Sequence, residues 1–458
     1  MVYIMNKNDS NKNNKLKYFL PDWEDRLDPN FNFITDEFSE GHKKDLYDNG
    51  VYAHNLFKEV PYEGILFSLA VFQNKISLNN NDNDNDNDND KEIYKIRNHT
   101  DIKNYLKISK NSNLEVMGDC GAFGYVNEKE PPKFYSVENI SKLYHKLNFD
   151  YGVAPDHLVV DNITINDENG KKKRVPLTQK DKDSRIALTL ENAEKFLKLH
   201  NKKGYNYIPM GTAQGYDLKT YRSSVKSLID MGYTYIALGA LINYKTDFII
   251  EILKEIQPLL NENNDKNKNN KNNNDIKLHL FGIARVGAFK KFYDLGVSSM
   301  DSASYFRKAW LKSSKNYITD ENIGYPAIRI PQSTNKNMIK KVIDKSKYPI
   351  EKIKKMEQKS LDALLKYEKG ELPLNETIDI IMEYDNIFVR SSKDNNLKEK
   401  YYKLLKDKPW EKCQCPICKK LGIQVVIFRG TNRNKRRGFH NIWSLRKMMN
   451  KELRNNDK

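Results

Sequence analysis

The sequence is poor in cysteine and has no long apolar run. It contains four cysteines in 458 residues, whereas small secreted proteins that depend on disulfides are short and rich in cysteine. No segment approaches the ~20 apolar residues of a membrane span. Residues 1–15 are rich in Asn and Lys and lack the apolar core of a secretory signal. We therefore predict a reduced, cytoplasmic protein with no membrane partner.

Three stretches are almost devoid of apolar residues: 6–15, the Asn-Asp repeat 79–90, and 261–275. Such segments have nothing to bury in a core. We expect them to be disordered insertions in surface loops.

Three of the four cysteines lie together and a histidine follows them. Cys413, Cys415 and Cys418 fall within six residues, and His440 comes 22 positions after the last of them. Three sulfurs and one imidazole suit a closed tetrahedral zinc site, which leaves no open position for catalysis. The alternative is a buried group of thiols beside a solvated histidine.

Positive charge is concentrated at the end of the chain. The formal net charge is +17, and residues 429–458 hold ten Lys/Arg against two acidic residues, or +8. A polyanion is the natural partner of such a segment, although a solvated basic face is the alternative. Guanidinium groups match phosphate oxygens. We therefore expect a loop at 429–437 to contact phosphates through Arg429, Arg433, Arg436 and Arg437.

Short apolar runs alternate with amphipathic segments over the first two thirds of the chain. The runs are 64–72, 114–117, 151–154, 207–210, 235–238, 277–281 and 297–300, and the amphipathic segments are 137–147, 190–199, 218–231, 247–260 and 286–295. Alternating strands and helices indicate an α/β protein with a parallel sheet. Seven strands and one unrecognised near the N-terminus predict a (β/α)₈ TIM barrel, with a doubly wound sheet as the alternative.

These patterns predict four regions. They are an N-terminal extension (1–62), a catalytic barrel (63–330) carrying the inserts 79–90 and 261–275, a helical insertion (331–411), and a zinc-binding basic subdomain (412–458).

Polar residues, and in one case a glycine, follow the predicted strands where each strand ends. They are Asp119, Asp156, Gln214, Gly239 and Asp301. The carboxyl ends of parallel strands meet on one face of a barrel, where active sites of this fold lie. One such Asp is more often a helix N-cap, but several together favour a site.

Paired acids suit cleavage of a glycosidic bond, one as nucleophile and one as proton donor. With a nucleic-acid partner, the bond becomes the C–N bond between sugar and base. Gln214, an Asp and glycine amides suit the edge of a purine, and an aromatic residue such as Phe123 or Tyr125 can stack on it.

An ordered set of motifs carries a family resemblance. Residues 118–123 (Gly-Asp-Cys-Gly-Ala-Phe) resemble the Asp-Ser-Gly-Gly-Phe/Tyr motif of tRNA-guanine transglycosylases, zinc-containing (β/α)₈ barrels that exchange guanine in nucleic acid for a deazaguanine. Residues 213–215, 238–241 and 280–283 are similar to the family's Val-Gln-Gly, Gly-Gly-Leu and Leu-Met-Gly-Val segments. Asp301 stands where the family has its nucleophile, and the Cys-x-Cys-x-x-Cys with His440 looks like its zinc subdomain.

The resemblance implies a role for each site residue. Asp301 would attack the sugar and form a covalent glycosyl-enzyme, and Asp119 would act as general acid and base. Asp156, Gln214 and the Gly239 backbone would hold the base, with Phe123 stacked on it. Zn²⁺ would be structural.

Departures from the motifs, such as Cys120 for Ser and Phe281 for Met, look more like the superfamily's DNA-modifying branch. Segments 21–26 (Pro-Asp-Trp-Glu-Asp-Arg) and 301–304 (Asp-Ser-Ala-Ser) resemble that branch as well. We therefore expect exchange of guanine in DNA for a 7-deazaguanine such as the cyano form.

Several alternatives stay open. They are a tRNA substrate in the queuosine/archaeosine pathway, a non-catalytic nucleic-acid-binding subunit on the same fold, a plain zinc-dependent nucleic-acid-binding protein, and an unrelated barrel hydrolase acting on sugars. Arg307 and Lys308 would either touch phosphate or end a surface helix. Whether a partner protein or a homodimer is needed also stays open.

Overall fold

The computed structural model describes residues 16–22, 25–72, 101–166, 170–268, 275–311, 314–334, 348–387 and 396–454. The predicted inserts 6–15 and 79–90 lie outside these residues. The third predicted insert starts too early, because a helix continues through residues 261–268.

The strands, in chain order, are β1 Lys17–Asp22, β2 Gly64–Ser68, β3 Glu115–Asp119, β4 Tyr151–Val153, β5 Asn162–Asn166, β6 Lys172–Pro176, β7 Ile208–Ala213, β8 Tyr235–Leu238, β9 Lys277–Leu280, β10 Val297–Asp301, β11 Tyr317–Ile318, β12 Gly324–Tyr325, β13 Ile328–Arg329 and β14 Ile427–Phe428.

The helices are α1 Glu40–Lys44, α2 Leu46–Asn49, α3 Ile102–Tyr105, α4 Val137–Lys146, α5 Gln179–Lys203, α6 Leu218–Met231, α7 Thr246–Lys268, α8 Phe289–Asp294, α9 Ser304–Lys308, α10 Ile350–Glu368, α11 Leu374–Asp385, α12 Leu397–Asp407, α13 Pro409–Lys412, α14 Pro416–Leu421 and α15 Gly430–Arg454.

Eight parallel strands form a closed barrel in the order β1-β10-β9-β8-β7-β4-β3-β2. The predicted TIM barrel is therefore confirmed, and the doubly wound alternative is wrong because the sheet has no open edge. The strand that the apolar pattern did not reveal is β1, Lys17–Asp22, which is short, contains Pro21 and is buried over most of its length. It pairs with β2 and β10 and so closes the sheet.

The barrel interior is filled by large side chains from several of its strands. Phe19, Met117, Tyr151, Met210 and Tyr235 are buried and belong to one cluster. The Tyr151 ring meets the edges of its neighbours, with centroids 6.1 Å from Phe19 and 5.4 Å from Tyr235. This packed layer supports the residues at the carboxyl ends of the strands.

Among the described residues, the chain divides into two compact units, a barrel unit (16–22 and 62–303) and a C-terminal unit (25–61 and 304–454). This division differs from the predicted regions in two ways. The predicted N-terminal extension supplies β1 to the barrel, and residues 304–330 join the C-terminal unit because the last barrel strand ends at Asp301.

The C-terminal unit is largely helical. Helices α10, α11 and α12 occupy much of the predicted helical insertion 331–411, of which residues 335–347 and 388–395 lie outside the described part. Helix α15 is the longest helix of this unit, and Phe439 on it stacks on Phe306 at 4.8 Å. The loop predicted at 429–437 is wrong, because Gly430 onward is helical. No helix in the described part of the chain is both long enough and apolar enough to span a membrane.

Candidate functional site

The residues singled out at strand ends lie on one rim of the barrel. Asp119 is the last residue of β3 and Asp301 the last residue of β10. Gln214 and Gly239 directly follow β7 and β8, and Asp156 comes three residues after β4. All of these strands are parallel, so the five residues project from the same end of the barrel.

One carboxylate oxygen of Asp301 is held by two donors. The Gly282 backbone N–H donates to Oδ1 over 2.9 Å, and Nε2 of His279 lies 3.1 Å from the same oxygen. Both contacts fall on Oδ1 and fix the orientation of a carboxylate that is 6% exposed. The second oxygen, Oδ2, makes neither contact.

A chain of hydrogen bonds leads from Asp301 into the barrel. His279 is fully buried, and its Nδ1 lies 2.6 Å from Oγ of Ser299, which lies 2.6 Å from the Tyr235 hydroxyl. One direction of donation satisfies every link: Tyr235 to Ser299, Ser299 to Nδ1, and Nε2–H to Asp301. This order places a proton of His279 on Nε2 and leaves Nδ1 as the acceptor.

Sequence reasoning missed His279. A signal was present, since His279 and Phe281 alternate with Leu278 and Leu280 in and just after β9, and Ser299 stands two residues before Asp301. Residues two apart on a strand share a face, so the face that presents Asp301 also presents Ser299.

Asp119 lies where its carboxyl group is hard to ionise. Burial, together with the nearby Asp156 carboxylate and a weaker effect of Asp301, raises its pKa to about 7 despite hydrogen bonds from Ser68 and the Gly121 backbone. A carboxyl group with a pKa near neutrality can both give and take a proton under ordinary conditions.

Asp156 is fixed by two side chains. Oδ2 accepts a hydrogen bond from Nε2 of Gln214 over 2.6 Å, and Oδ1 accepts one from the Cys120 thiol over 3.3 Å. Burial raises the pKa of Asp156 to about 6, although these two donors oppose that change. The Gln214 amide is oriented in turn, because its Oε1 accepts from the Val159 backbone at 3.3 Å. Together they form a buried polar edge of carboxylate and amide.

Gly239 leaves room for that edge. A Cβ at this position would lie 2.2 Å from Nε2 of Gln214, so any side chain here would displace the amide. Its own backbone is engaged, since its N–H donates to Ala213 at 3.0 Å and its carbonyl accepts from Tyr221 at 2.8 Å. The next residue, Ala240, has a positive φ of 58° that favours glycine, a strained conformation of the kind that collects at functional sites.

Phe123 is the exposed aromatic residue of the rim. It lies on the short 3₁₀ turn Ala122–Tyr125 that follows Asp119, and 63% of its surface is accessible. Tyr125, the other aromatic residue considered, is buried and donates to the Asp156 carbonyl over 2.7 Å. Phe123 is therefore the one of the two that can receive a base.

Cys120 and His157, which adjoin Asp119 and Asp156 in the sequence, are buried and do not suit a chemical role. Burial raises the pKa of the Cys120 thiol well above its usual range, which does not suit a nucleophile. Burial and the nearby Arg185 lower the pKa of His157 to about 4, and its Nε2 lies 3.0 Å from the Glu128 carbonyl. His157 is therefore a neutral, buried histidine and does not suit a proton shuttle.

The cysteine cluster assembles in the C-terminal unit. Nδ1 of His440 lies 3.5 Å from Sγ of Cys413 and 3.4 Å from both Cys415 and Cys418, and all four ligand atoms lie within 4.8 Å of one another. Tetrahedral zinc, with bonds of about 2.3 Å to sulfur and 2.0–2.1 Å to nitrogen, requires sulfur–nitrogen separations of roughly 3.5 Å. The cluster can therefore bind a metal ion of this kind.

Local structure orients the four ligands. Cys415 caps helix α14 by accepting from the Cys418 N–H. Nε2 of His440 lies 3.1 Å from the Ile318 carbonyl, and the ring stacks on Tyr317 at 4.0 Å. A carbonyl acceptor on Nε2 leaves Nδ1 as the ligand atom.

The four arginines predicted to contact phosphate are buried. Arg429, Arg433, Arg436 and Arg437 have exposed fractions of 7%, 1%, 2% and 0%. Arg429 and Arg433 both bind the carboxylate of Asp36. Burial lowers the pKa of Arg436 and Arg437, to about 10 and about 9.

Backbone carbonyls accept hydrogen bonds from Arg436 and Arg437. Arg437 donates to the carbonyls of Ala309, Val425 and Ile427, and Arg436 donates to that of Asp28 over 2.7 Å. Guanidinium groups occupied in this way inside the unit are not free to meet a phosphate. The predicted phosphate contact is therefore corrected, and these arginines instead hold the C-terminal unit together.

The other two candidate phosphate ligands lie on helix α9. Arg307 is exposed, whereas Nζ of Lys308 lies over the Tyr305 ring at 4.1 Å. Phosphate contact by these two stays a prediction.

No protein-family profile matches the chain. A curated protein of Salmonella montevideo named DNA-guanine transglycosylase is 34% identical over 446 residues, which cover 97% of this chain and 99% of that protein. Similarity at this level over nearly the whole length agrees with the barrel, its rim of carboxylates and the Cys₃His cluster. The chain belongs to the guanine transglycosylase superfamily, in its DNA-modifying branch.

Proposed function

We propose that the protein exchanges guanine in DNA for a 7-deazaguanine base by double displacement on Asp301. The main support is the arrangement of three acids in different environments on one rim. Asp301 has one oxygen held by two donors, Asp119 has a pKa near neutrality, and Asp156 is paired with an amide. A relative named for guanine exchange on DNA supports the choice of base and substrate.

In the first step, Oδ2 of Asp301 attacks C1′ of the target nucleotide and the bond from C1′ to the base breaks. Oδ1 stays bound to Gly282 and His279. The neutral carboxyl group of Asp119 gives its proton to the departing guanine. The product is an ester between Asp301 and the sugar, with Asp119 ionised.

In the second step, Asp119 takes a proton from the incoming base, whose nitrogen attacks C1′. The ester bond breaks and Asp301 is restored. The proton lent by Asp119 returns to it, so no net proton is consumed. Two inversions retain the configuration at C1′.

The base would be held by the buried edge that Asp156 and Gln214 form, with Phe123 stacked on its face. A purine presents donors and acceptors at its edge, which a carboxylate and an amide can match. Because this edge is buried, the nucleotide must leave its stack to reach it.

His279 would position the nucleophile without touching the substrate. It fixes Oδ1, and Ser299 and Tyr235 fix the tautomer of His279.

Zn²⁺ would be held by Cys413, Cys415, Cys418 and His440 as a structural ion. Four protein ligands close the coordination shell, so the metal would stabilise the C-terminal unit and supply no step of the exchange.

The test is nucleoside analysis of DNA and of tRNA from cells that express the chain and are supplied with a 7-deazaguanine. A deazaguanine nucleoside in the DNA is expected, and one found only in the tRNA would reject DNA in favour of the alternative substrate. Asp301→Asn should abolish the product. Asp230→Asn, a change at an exposed carboxylate on α6 that pairs with Lys226, is the control and should leave it unchanged. Product formed by Asp301→Asn would reject the nucleophile, and no product in either nucleic acid would favour a non-catalytic subunit.

A further inference from the structure

An exposed two-stranded hairpin leaves the active-site rim directly after β4. Strands β5 and β6 pair antiparallel, and neither pairs with another described strand. The residues Lys172, Lys173 and Arg174 on β6 are all exposed. The hairpin has no part in the barrel core, so its sequence is not explained by packing.

Hydrogen bonds join the chain that leads into the hairpin to the candidate active site. Buried Arg185 donates to the Leu158 carbonyl over 2.7 Å, and the Val159 N–H donates to Gln214 over 3.3 Å. Leu158 and Val159 lie two and three positions after Asp156. The Leu177 N–H closes the root by donating to the Asp161 carbonyl over 2.9 Å.

The side of the hairpin is fastened as well. The Thr164 N–H donates to the side chain of Asn127 over 2.8 Å, in the segment that follows Asp119 and Phe123. The described strands are thus tied to the segments that follow β3, β4 and β7.

The described strands carry charge of one sign. Lys172 lies opposite Asn166, Lys173 opposite Ile165, and Arg174 opposite Thr164, so no acidic residue faces any of the three across the pair. Asp167 and Glu168 stand in the connecting segment, outside the described residues, and the sequence 162–176 holds four basic residues against these two acids.

The two faces of the hairpin differ in polarity. Residues opposite each other in a strand pair share a face, so Lys172, Arg174, Thr164 and Asn166 form a polar face. Residues two apart on a strand are separated by about 7 Å. Each strand of duplex DNA carries a phosphate for every 3.4 Å of axis, so the distance from Lys172 to Arg174 spans about two phosphate intervals along one strand.

We propose that the β5–β6 hairpin binds duplex DNA beside the target nucleotide, with Lys172 and Arg174 contacting its phosphates from the polar face and Lys173, on the other face beside Ile165, adding to the positive charge. This inference rests on the proposed function and specifies how the substrate is held. A two-stranded ribbon fits the major groove, which is about 12 Å wide. Its root, Asp161 and Leu177, begins five residues after Asp156, so the hairpin would contact phosphates at the same end of the barrel as the flipped base.

The test compares two triple variants that remove the same charge from opposite ends of the barrel. The hairpin variant is Lys172→Gln, Lys173→Gln and Arg174→Gln. The control variant is Lys146→Gln, Lys202→Gln and Lys203→Gln, which changes exposed lysines at the C-terminal ends of α4 and α5, beside the amino ends of the barrel strands. All six side chains are exposed, so both variants are expected to fold, and circular dichroism checks this.

Binding is measured by fluorescence anisotropy with labelled duplex DNA over a range of salt concentrations, in an Asp301→Asn background that needs no turnover. Each lost phosphate contact lowers the slope of log K against log salt by about 0.9. The hairpin variant should therefore lose a slope of roughly 2–3 and bind on the order of 10–100-fold more weakly near physiological salt. The control variant should keep the slope and affinity of its parent.

Several results would overturn the inference. A hairpin variant with an unchanged slope shows that the three residues make no phosphate contact. An equal loss in the control variant shows an effect of net charge alone. A loss of binding to tRNA without a loss on duplex DNA assigns the hairpin to the other nucleic acid.

Turnover separates this inference from the proposed function. With Asp301 intact, the hairpin variant should raise KM for DNA and leave the single-turnover rate at saturating DNA within about twofold, because the hairpin touches no reacting atom. If the unaltered protein exchanges guanine in DNA but the variant binds normally, only the hairpin role fails. If the unaltered protein exchanges no base in DNA, the proposed function fails whatever the hairpin binds.

Discussion

Replacing His279 tests whether the hydrogen bonds beneath Asp301 position the nucleophile. His279→Leu removes the Nε2 donor 3.1 Å from Oδ1 and keeps an apolar side chain of similar size in the barrel interior. His279→Gln retains an N–H donor at nearly the same reach. The pair thus separates the hydrogen bond from the space that the side chain fills.

The size of the effect follows from the contacts. A hydrogen bond to a charged group contributes about 1.5–3 kcal/mol, or roughly 10–150-fold in rate. Asp301 keeps the Gly282 N–H at 2.9 Å in the Leu variant, so the loss should lie in the lower part of that range, about 10–50-fold. His279→Gln should recover most of it.

The assay is single-turnover formation of the covalent adduct between protein and labelled DNA, with KM for DNA measured alongside. The rate of adduct formation should fall, while KM changes by less than about threefold, because His279 orients Oδ1 and does not touch the base. Ser299→Ala, which removes the partner of Nδ1, should cause a smaller loss, and Tyr235→Phe, one bond further away, a smaller one still.

Two results would refute this reasoning. If His279→Leu forms the adduct at the normal rate, the contact does not position Asp301. If His279→Leu and His279→Gln lose activity equally and both melt at a much lower temperature, the histidine serves the fold and not the nucleophile.

Three further predictions concern stability. The raised pKa of Asp119 means that the folded protein holds this proton more tightly than the unfolded chain. Native stability is therefore lost as pH rises from about 4 to about 7, by about 1.4 kcal/mol for each pH unit in that interval. Asp119→Asn has no carboxyl group to titrate and should not show this loss. Urea unfolding should therefore show that the free energy of unfolding of Asp119→Asn, relative to that of the unaltered protein, increases from pH 5 to pH 8. A difference that stays constant with pH would contradict the raised pKa. Cys415→Ser should lower both the amount of bound zinc, measured by elemental analysis, and the melting temperature. Cys120→Ser is the control and should retain the metal. A full complement of zinc in Cys415→Ser would reject the site. Arg433→Met should destabilise the protein by about 3–5 kcal/mol, because it leaves the buried Asp36 with one partner fewer. Arg433→Met should also leave the salt dependence of DNA binding unchanged; a reduced slope would restore the phosphate contact.

The barrel was predictable because strands and helices leave different periods in a sequence. The seven recognised strands are short apolar runs, and the predicted segment 218–231 matches α6 at both ends. Strand β1 escaped because it is short, contains Pro21 and has no amphipathic helix directly after it. Its assignment depends on pairing with β10, more than 270 residues away, which local patterns do not record.

The rim residues were predictable for a related reason. The carboxyl ends of parallel strands converge, so a polar residue at the end of any one strand can be recognised as a candidate site residue from that strand's sequence alone. His279 does not stand at a strand end. Its importance lies in contacts with Ser299 and Asp301 across two neighbouring strands, and these depend on the register of β9 and β10.

Charge alone misassigned the nucleic-acid surface, and the partners of each cation explain why. Arg433 resembles a phosphate ligand when only its charge is considered, yet it is 1% exposed and binds Asp36, which lies 397 positions earlier. Lys172 and Arg174 follow two acidic residues closely in the sequence, so the net charge of their segment is small. In the structure they are exposed and lie opposite Asn166 and Thr164 in the hairpin. Burial removes a guanidinium group from water, and only fixed hydrogen-bond acceptors offset the lost solvation free energy. A buried guanidinium group is therefore bound to acceptors inside the protein. A basic run that the fold leaves exposed and without opposing acids keeps its charge available for DNA.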